Sequence, residues 1–169
     1  YSKPIPTAIL SEYDRIVGFT EFNNGFIIFG HKLSSFNTYA IRTNANLVVQ
    51  QSAFLSNSPY NTPTISNSGQ FSPNEIRFVL NPQPGIQSGS SNLLVVMNGD
   101  LTIASTEVLT SGIMYGTVNF VPNACGNYNI SIFRQEGPCR IGSCYEQEYR
   151  QGRFVNGHFV TDASYLLIE

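Results

Sequence analysis

The residues that could carry nucleophilic or acid-base chemistry are few and far apart in the sequence. His31 and His158 are the only two histidines, and a serine or cysteine nucleophile needs such a base beside it. Each follows a glycine, Gly30 or Gly157, within a run of strand-forming residues, a placement typical of histidines on a strand surface. The Gly-x-Ser-x-Gly motif of hydrolases does not occur. The sequence therefore predicts a protein that is not an enzyme.

Paired carboxylates for glycoside hydrolysis are not indicated either. Glu146 and Glu148 are two residues apart, so in a strand both lie on one face instead of opposing each other across a sugar ring. The aspartates are isolated in the sequence, whereas a calcium site needs several clustered oxygen ligands. We expect neither a metal nor an organic cofactor.

Three cysteines, Cys125, Cys139 and Cys144, lie within one segment. Zinc sites need closely paired ligands, usually four in all, and this spacing supplies too few. Two interpretations remain: three reduced, buried thiols, or a disulfide between two of the three in an oxidising compartment. The segment 137–142 contains two glycines and a proline. A bridge would hold such a loop in place, which favours one disulfide.

The composition indicates a secreted protein. Asn, Ser and Thr make up more than a quarter of the 169 residues, only 12% are charged, and the net charge is −2. The basic residues are scattered, so nucleic acid is not a predicted partner. No apolar run reaches the roughly 20 residues that cross a bilayer, so no membrane insertion is expected. Asn129-Ile130-Ser131 makes Asn129 a candidate glycosylation site, and we expect an extracellular location, at a cell or virion surface.

Short runs rich in Val, Ile, Phe and Tyr predict about ten to twelve β-strands and little or no helix. Two hairpins are the best defined: one joins 16–22 to 26–33 through Asn23-Asn24-Gly25, the other joins 93–97 to 101–105 through Asn98-Gly99-Asp100. Further strands are predicted at 36–42, 47–54, 75–80, 113–121, 128–133, 145–150, 154–160 and 165–168. The expected fold is an all-β antiparallel sandwich, jelly-roll or immunoglobulin-like, as one domain over residues 11–169.

Two long segments, 56–73 and 81–92, are rich in Pro, Gly, Asn and Ser and are predicted to be loops. Binding surfaces of β-scaffolds usually lie on such loops. Tyr60, Asn61 and Phe71 are the candidate ligand contacts, because rings stack on sugars and amides bond to their hydroxyl groups.

Residues 1–10 are predicted to form an extended arm. Pro4 and Pro6 alternate, so their missing N–H groups fall on one side of the segment, and Ile5, Ile9 and Leu10 are too apolar for a free terminus. One interpretation makes the arm an edge strand of its own sandwich. The other makes it a donor strand that joins a neighbouring subunit's sheet. The apolar C-terminal segment 165–168 is the other candidate for an exchanged strand.

In composition the chain resembles secreted β-sandwich modules such as filament or pilus subunits, viral coat or fibre domains and carbohydrate-binding domains. We therefore expect a structural subunit of an extracellular filament or coat, in which copies of the chain add head to tail by terminal-strand addition. The alternative is a secreted carbohydrate-binding or adhesive module whose partners are glycans.

Overall fold

The computed structural model describes residues 4–57, 63–81, 92–110, 118–122, 128–138, 143–155 and 158–168. One helix, α1, spans Thr7–Glu12. The strands of these residues are β1 (Arg15–Phe22), β2 (Gly25–Lys32), β3 (Asn37–Asn44), β4 (Val49–Asn57), β5 (Thr64–Ser72), β6 (Glu75–Asn81), β7 (Asn92–Asn98), β8 (Ile103–Thr110), β9 (Val118–Pro122), β10 (Tyr128–Pro138), β11 (Ser143–Val155) and β12 (His158–Ile168).

The strands form three antiparallel sheets of four strands each. Sheet A has the order β1-β2-β3-β4, sheet B the order β5-β6-β7-β8, and sheet C the order β12-β11-β10-β9. The predicted all-β, antiparallel, sandwich-like class is confirmed. Strand order follows the chain within every sheet. The sheets are therefore meanders, without the crossovers that define jelly-roll and immunoglobulin sandwiches.

Sheets A and B pack face to face around an apolar core. Phe29 of β2 and Phe78 of β6 lie at its centre, with their ring centroids 4.7 Å apart, and both side chains are fully buried. On one side the layers nearly touch, because a Cβ added to Gly18 of β1 would lie 2.7 Å from the Cβ of Ile65 in β5. The absence of a side chain at Gly18 is what permits this close approach.

Residues 5–12 pack onto sheet A, and the prediction of an extended arm is wrong for residues 7–10. Thr7–Glu12 is helical, and Ile9 is buried with Tyr13, Ile28 and Ile41. Ile28 alternates with core residues along β2, so this second cluster lies on the outer face of sheet A, away from sheet B. Strands β2 and β3 are already paired on both sides. A segment covering their face cannot join the ladder, and a helix satisfies its own backbone groups.

Sheet C approaches the other face of sheet B. Val79 and Leu94 are fully buried there, on the opposite side of their strands from Phe78 and Val95. The backbone N–H of Phe159 in β12 donates to the Glu107 carboxylate of β8 over 2.7 Å. Strand β9 also lies beside β5 and β6. The described layers thus follow the order α1, sheet A, sheet B, sheet C.

The first predicted hairpin forms, with a turn one residue shorter than expected. Asn23 and Asn24 take φ angles of 46° and 60°, as the central residues of a type I′ turn do. Gly25 belongs to β2 and pairs with Phe22. A Cβ at Gly25 would collide with the carbonyl oxygen of Thr43 on β3, so glycine is required there for space and not for the turn.

The second hairpin also forms, around a longer connection than predicted. Strand β8 begins at Ile103 instead of residue 101, because Leu101 takes a left-handed φ of 65° and its side chain turns into the core. Asp100 holds this turn by accepting a hydrogen bond from the N–H of Thr102 over 3.0 Å.

Strand β5 lies within 56–73, which was predicted to be a loop. That prediction is wrong for 64–72. This segment forms a strand although most of its residues are polar and it contains Gly69, a composition typical of a loop.

Candidate functional site

The predicted arm residues do not form one surface. Ile9 is buried, Ile5 and Pro6 are half-buried beside the outer face of sheet A, and Pro4 and Leu10 are exposed. Strand β12, which contains the other predicted exchange segment, 165–168, pairs along its length with β11 of its own chain. The structure thus gives both terminal segments places in their own subunit.

The predicted ligand-contact loop is only partly described. Phe71 lies in β5, half-buried, with the Arg77 guanidinium carbon 4.4 Å from its ring centroid. A ring covered in this way offers at most one face to a ligand. Tyr60 and Asn61 lie outside the described residues, so their role stays a prediction.

The cysteine and glycosylation predictions fall where little is described. Cys125 and Cys139 lie outside the described residues, and Cys144 belongs to β11, opposite Glu136 of β10. Asn129 belongs to β10, between Val121 of β9 and Gln151 of β11 in the register. A disulfide between two of the cysteines, and a glycan on Asn129, both stay predictions.

His31 is buried, and the prediction of a strand-surface histidine is wrong for it. Its Nδ1 lies 2.9 Å from the Thr38 hydroxyl oxygen on the neighbouring strand β3. Its Nε2 is buried with no hydrogen-bond partner among the described residues. Burial lowers the pKa of His31 below its ordinary value, the positive charge of Arg15 lowers it further, and Asp14 opposes this. His31 is therefore a neutral core residue, and His158 is exposed as predicted.

We expect the stability of the protein to fall on acidification because of His31. Because the pKa of His31 is lowered in the folded protein, the imidazole of the unfolded chain is protonated first as the pH falls. The contribution of neutral His31 to the free energy of unfolding is therefore complete above pH 6.5, the ordinary value. It is lost as the pH falls from there through the folded pKa. Urea unfolding of wild type and His31→Gln between pH 5 and pH 8 measures this. In His31→Gln the free energy of unfolding should depend less steeply on pH than in wild type. If His158→Gln reduces this dependence and His31→Gln does not, the effect belongs to His158 and the prediction is wrong.

A groove of about 1140 Å³ crosses the outer face of sheet A next to α1. Its apolar lining includes Ile5, Phe19, Phe26 and Leu47. Phe19 projects from β1 and is 67% exposed, whereas its neighbours on the strand alternate toward the core. The polar lining comes from the first hairpin and from β5: Glu21, Asn23, Asn24 and Gln70.

Hydrogen bonds fix the amides at the rim of this groove. The Gln70 side-chain nitrogen donates to the Asn23 side-chain oxygen over 2.8 Å, and the backbone N–H of Asn23 donates to the Gln70 side-chain oxygen over 3.1 Å. The Asn23 side-chain nitrogen also donates to the carbonyl of Pro73 over 2.6 Å. The Gln70 side-chain nitrogen also donates to the carbonyl of Ser72 over 3.0 Å, so both of its hydrogens are used. The Gln70 oxygen keeps one lone pair, and the Asn23 side chain keeps one lone pair and one hydrogen. The rim therefore holds oriented donors and acceptors with capacity for a ligand.

A second exposed apolar surface lies along β8, at the edge of sheet B. Ile103 and Val108 pair with Met97 and Leu93 of β7 and so share the face that packs against sheet A. They are 43% and 56% exposed, although Met97 is fully buried one strand away. Sheet A therefore leaves β8 uncovered on this side. We call Ile103, Thr106 and Val108 the β8 inner face.

Comparisons with known protein families, with curated proteins and with solved structures give no match. Among the described residues, no group of three or more His, Cys, Asp or Glu side chains is placed to bind a metal ion. No helix in the described segments has the length and apolar character to cross a membrane.

Sequence reasoning missed both surfaces for different reasons. The groove joins residues from β1, β2, β5 and the segment before α1, which only tertiary packing brings together. The outward position of Phe19 and Glu21 could have been read from the alternation along β1. The exposure of β8 had a weaker signal, namely a strand-forming run, 103–110, with one charged residue.

Proposed function

We propose that the protein is a structural subunit of an extracellular assembly, and that two copies associate through the edge of β8. The single observation that supports this is the β8 inner face, where Ile103 and Val108 are half exposed although they belong to a core-facing row. Soluble chains seldom leave such a row uncovered on an edge strand, because it invites pairing with another chain.

The chemistry of β8 favours another strand as the partner. Among the described strands β8 pairs only with β7, which makes it the edge of sheet B in this part of the chain, the place where a further strand would add. The strand contains no Pro, Lys or Arg, which are the residues that usually guard an edge. Its one charge, Glu107, is turned toward sheet C and accepts the bond from Phe159.

The partner best suited to this edge is the same edge of a second copy. An antiparallel pairing centred on Thr106 sets Val108 opposite Ala104 and Ser105 opposite Glu107, so no two like charges meet. Arg150 donates to the carbonyl oxygen of Leu109 over 3.2 Å, so the pairing between the two copies would stop near Val108. Such a contact is two-fold and closes on itself. A filament or coat then needs a second contact, so the head-to-tail homopolymer stays a prediction.

Terminal-strand addition is less well supported than this edge pairing. A donor arm would have to withdraw Ile9 from Tyr13, Ile28 and Ile41, and exposing one such side chain costs about 1.5–3 kcal/mol. Edge pairing requires no unfolding. An extracellular location is proposed with it, on the low charge and high Asn, Ser and Thr content of the chain.

Sedimentation velocity over a wide range of concentration tests the proposal. Wild type should form dimers, and Val108→Lys should be monomeric, because a buried, unpaired ammonium group opposes the contact. Val160→Lys, which alters an exposed valine on β12, is the matched control and should remain dimeric. A monomeric wild type, or a Val108→Lys variant that dimerises as wild type does, would contradict the proposal.

A further inference from the structure

We infer that the groove on the outer face of sheet A binds a neutral carbohydrate chain. This inference is independent of the association through β8, because no residue of β8 is among the described residues that line the groove. The composition suggested a carbohydrate-binding module as the alternative function. The groove would place its binding site on residues such as Phe19 and Gln70, which were not predicted as ligand contacts. The predicted contacts Tyr60 and Asn61 do not enter it.

Rings and amides occur together in the groove, as a sugar site requires. Phe19 and Phe26 line it from neighbouring strands, and Glu21 pairs directly with Phe26 in the register. The apolar face of a pyranose packs on a ring, while its hydroxyl groups need donors and acceptors at the edge. Asn23, Asn24 and Gln70 supply amides at that edge.

The rim is organised before any ligand binds. The Asn23 and Gln70 side chains are bonded to each other, and Asn23 is also bonded to Pro73. Side chains already held in place lose little conformational entropy on binding, so more of the interaction energy appears as affinity. The type I′ turn at Asn23 and Asn24 positions both amides from the same hairpin.

The charge of the lining selects among ligand classes. Among the described residues that line the groove there is no Lys, Arg or His, and the one charged group is the carboxylate of Glu21. Phosphorylated, sulfated or sialylated ligands would meet this negative charge without a compensating cation. The lining therefore fits an uncharged ligand rich in hydroxyl groups.

The backbone around the groove argues against a peptide strand as the occupant. Phe26 and Ile28 at its base belong to β2, which is paired with β1 on one side and with β3 on the other. A peptide that adds to a sheet needs an open edge. The face of β2 offers none, and β1, the edge strand that also lines the groove, has β5 beside it. A carbohydrate needs only side-chain contacts, which the groove provides.

A glycan array that carries neutral and anionic glycans, probed with the whole chain, tests the inference, followed by calorimetry on the glycans that bind. We expect binding to neutral glycans and none to sulfated or sialylated ones. Phe19→Ala should weaken binding about tenfold by removing the stacking ring. Gln70→Ala should weaken it as well, because it removes one rim amide and one of the two groups that orient the Asn23 side chain.

Phe54→Ala is the matched control. Phe54 is exposed on β4 and contacts Tyr39 on the outer face of sheet A, outside the groove, so its loss should leave binding unchanged. Circular dichroism and thermal unfolding confirm that each variant is folded. No binding to any neutral glycan, or equal binding by wild type and by folded Phe19→Ala, would overturn the inference. Neither result would affect the dimer test, which depends on Val108.

Discussion

Replacing Ile9 with alanine is expected to lower the free energy of unfolding by about 2–4 kcal/mol. Ile9 is the one buried side chain of α1, and it packs on Tyr13, Ile28 and Ile41. The substitution removes apolar contact and leaves a cavity between the helix and sheet A, which the sheet cannot close because β2 and β3 are held by pairing on both sides. Urea denaturation followed by circular dichroism measures the change.

Leu10→Ala is the control for Ile9→Ala. Leu10 is the next residue of the same helix and is 53% exposed, so its loss should change the stability by no more than about 0.5 kcal/mol. The pair also separates two roles of the N-terminal segment. A donor arm that is undocked in the subunit would give equally small effects at both positions, and that result would restore the extended-arm prediction.

Replacing Phe29 with alanine is expected to have a larger effect, about 3–5 kcal/mol. Phe29 is fully buried at the centre of the core between sheets A and B, and its ring meets that of Phe78 at 4.7 Å between centroids. The loss removes a large apolar area and an aromatic pair at once. Because whole domains are stabilised by only about 5–15 kcal/mol, this variant should be unfolded or close to it at moderate temperature.

Phe54→Ala is the comparison for Phe29→Ala. The same residue type is removed from β4, where the ring is exposed and contacts only the edge of Tyr39 among the described rings. We expect a change of about 1 kcal/mol or less. Differential scanning calorimetry of both variants measures the difference. Similar destabilisation by the two substitutions would contradict the packing of sheets A and B through Phe29.

The fold class could be predicted from the sequence because strand patterns and turn residues are local properties. Residues 16–22 and 26–33 are rich in strand-forming residues on either side of Asn23 and Asn24, and the hairpin forms there. Strand β5 was missed because Thr64–Ser72 is mostly polar and contains Gly69. Its place in sheet B comes from pairing with β6, which is a tertiary property that no local pattern expresses.

The helix and the two candidate surfaces could not be predicted for a related reason. Pro6 has extended backbone angles, but the helix at Thr7–Glu12 forms because the outer face of sheet A offers Ile28 and Ile41 for Ile9 to cover. His31 is buried because it lies on the same face of β2 as the core residues Ile27 and Phe29. Each of these environments depends on which strands become neighbours in the folded protein. Local sequence patterns do not determine that pairing.

The meander order of the three sheets has a consequence for how the chain acquires its structure. Every described strand pair joins strands that are consecutive in the sequence, so ladders can close without searching for distant segments. Such short-range pairings lower the contact order and speed folding relative to a crossover topology of equal size. During synthesis sheet A, which is complete by Asn57, can emerge from the ribosome and pair its strands before the later sheets exist.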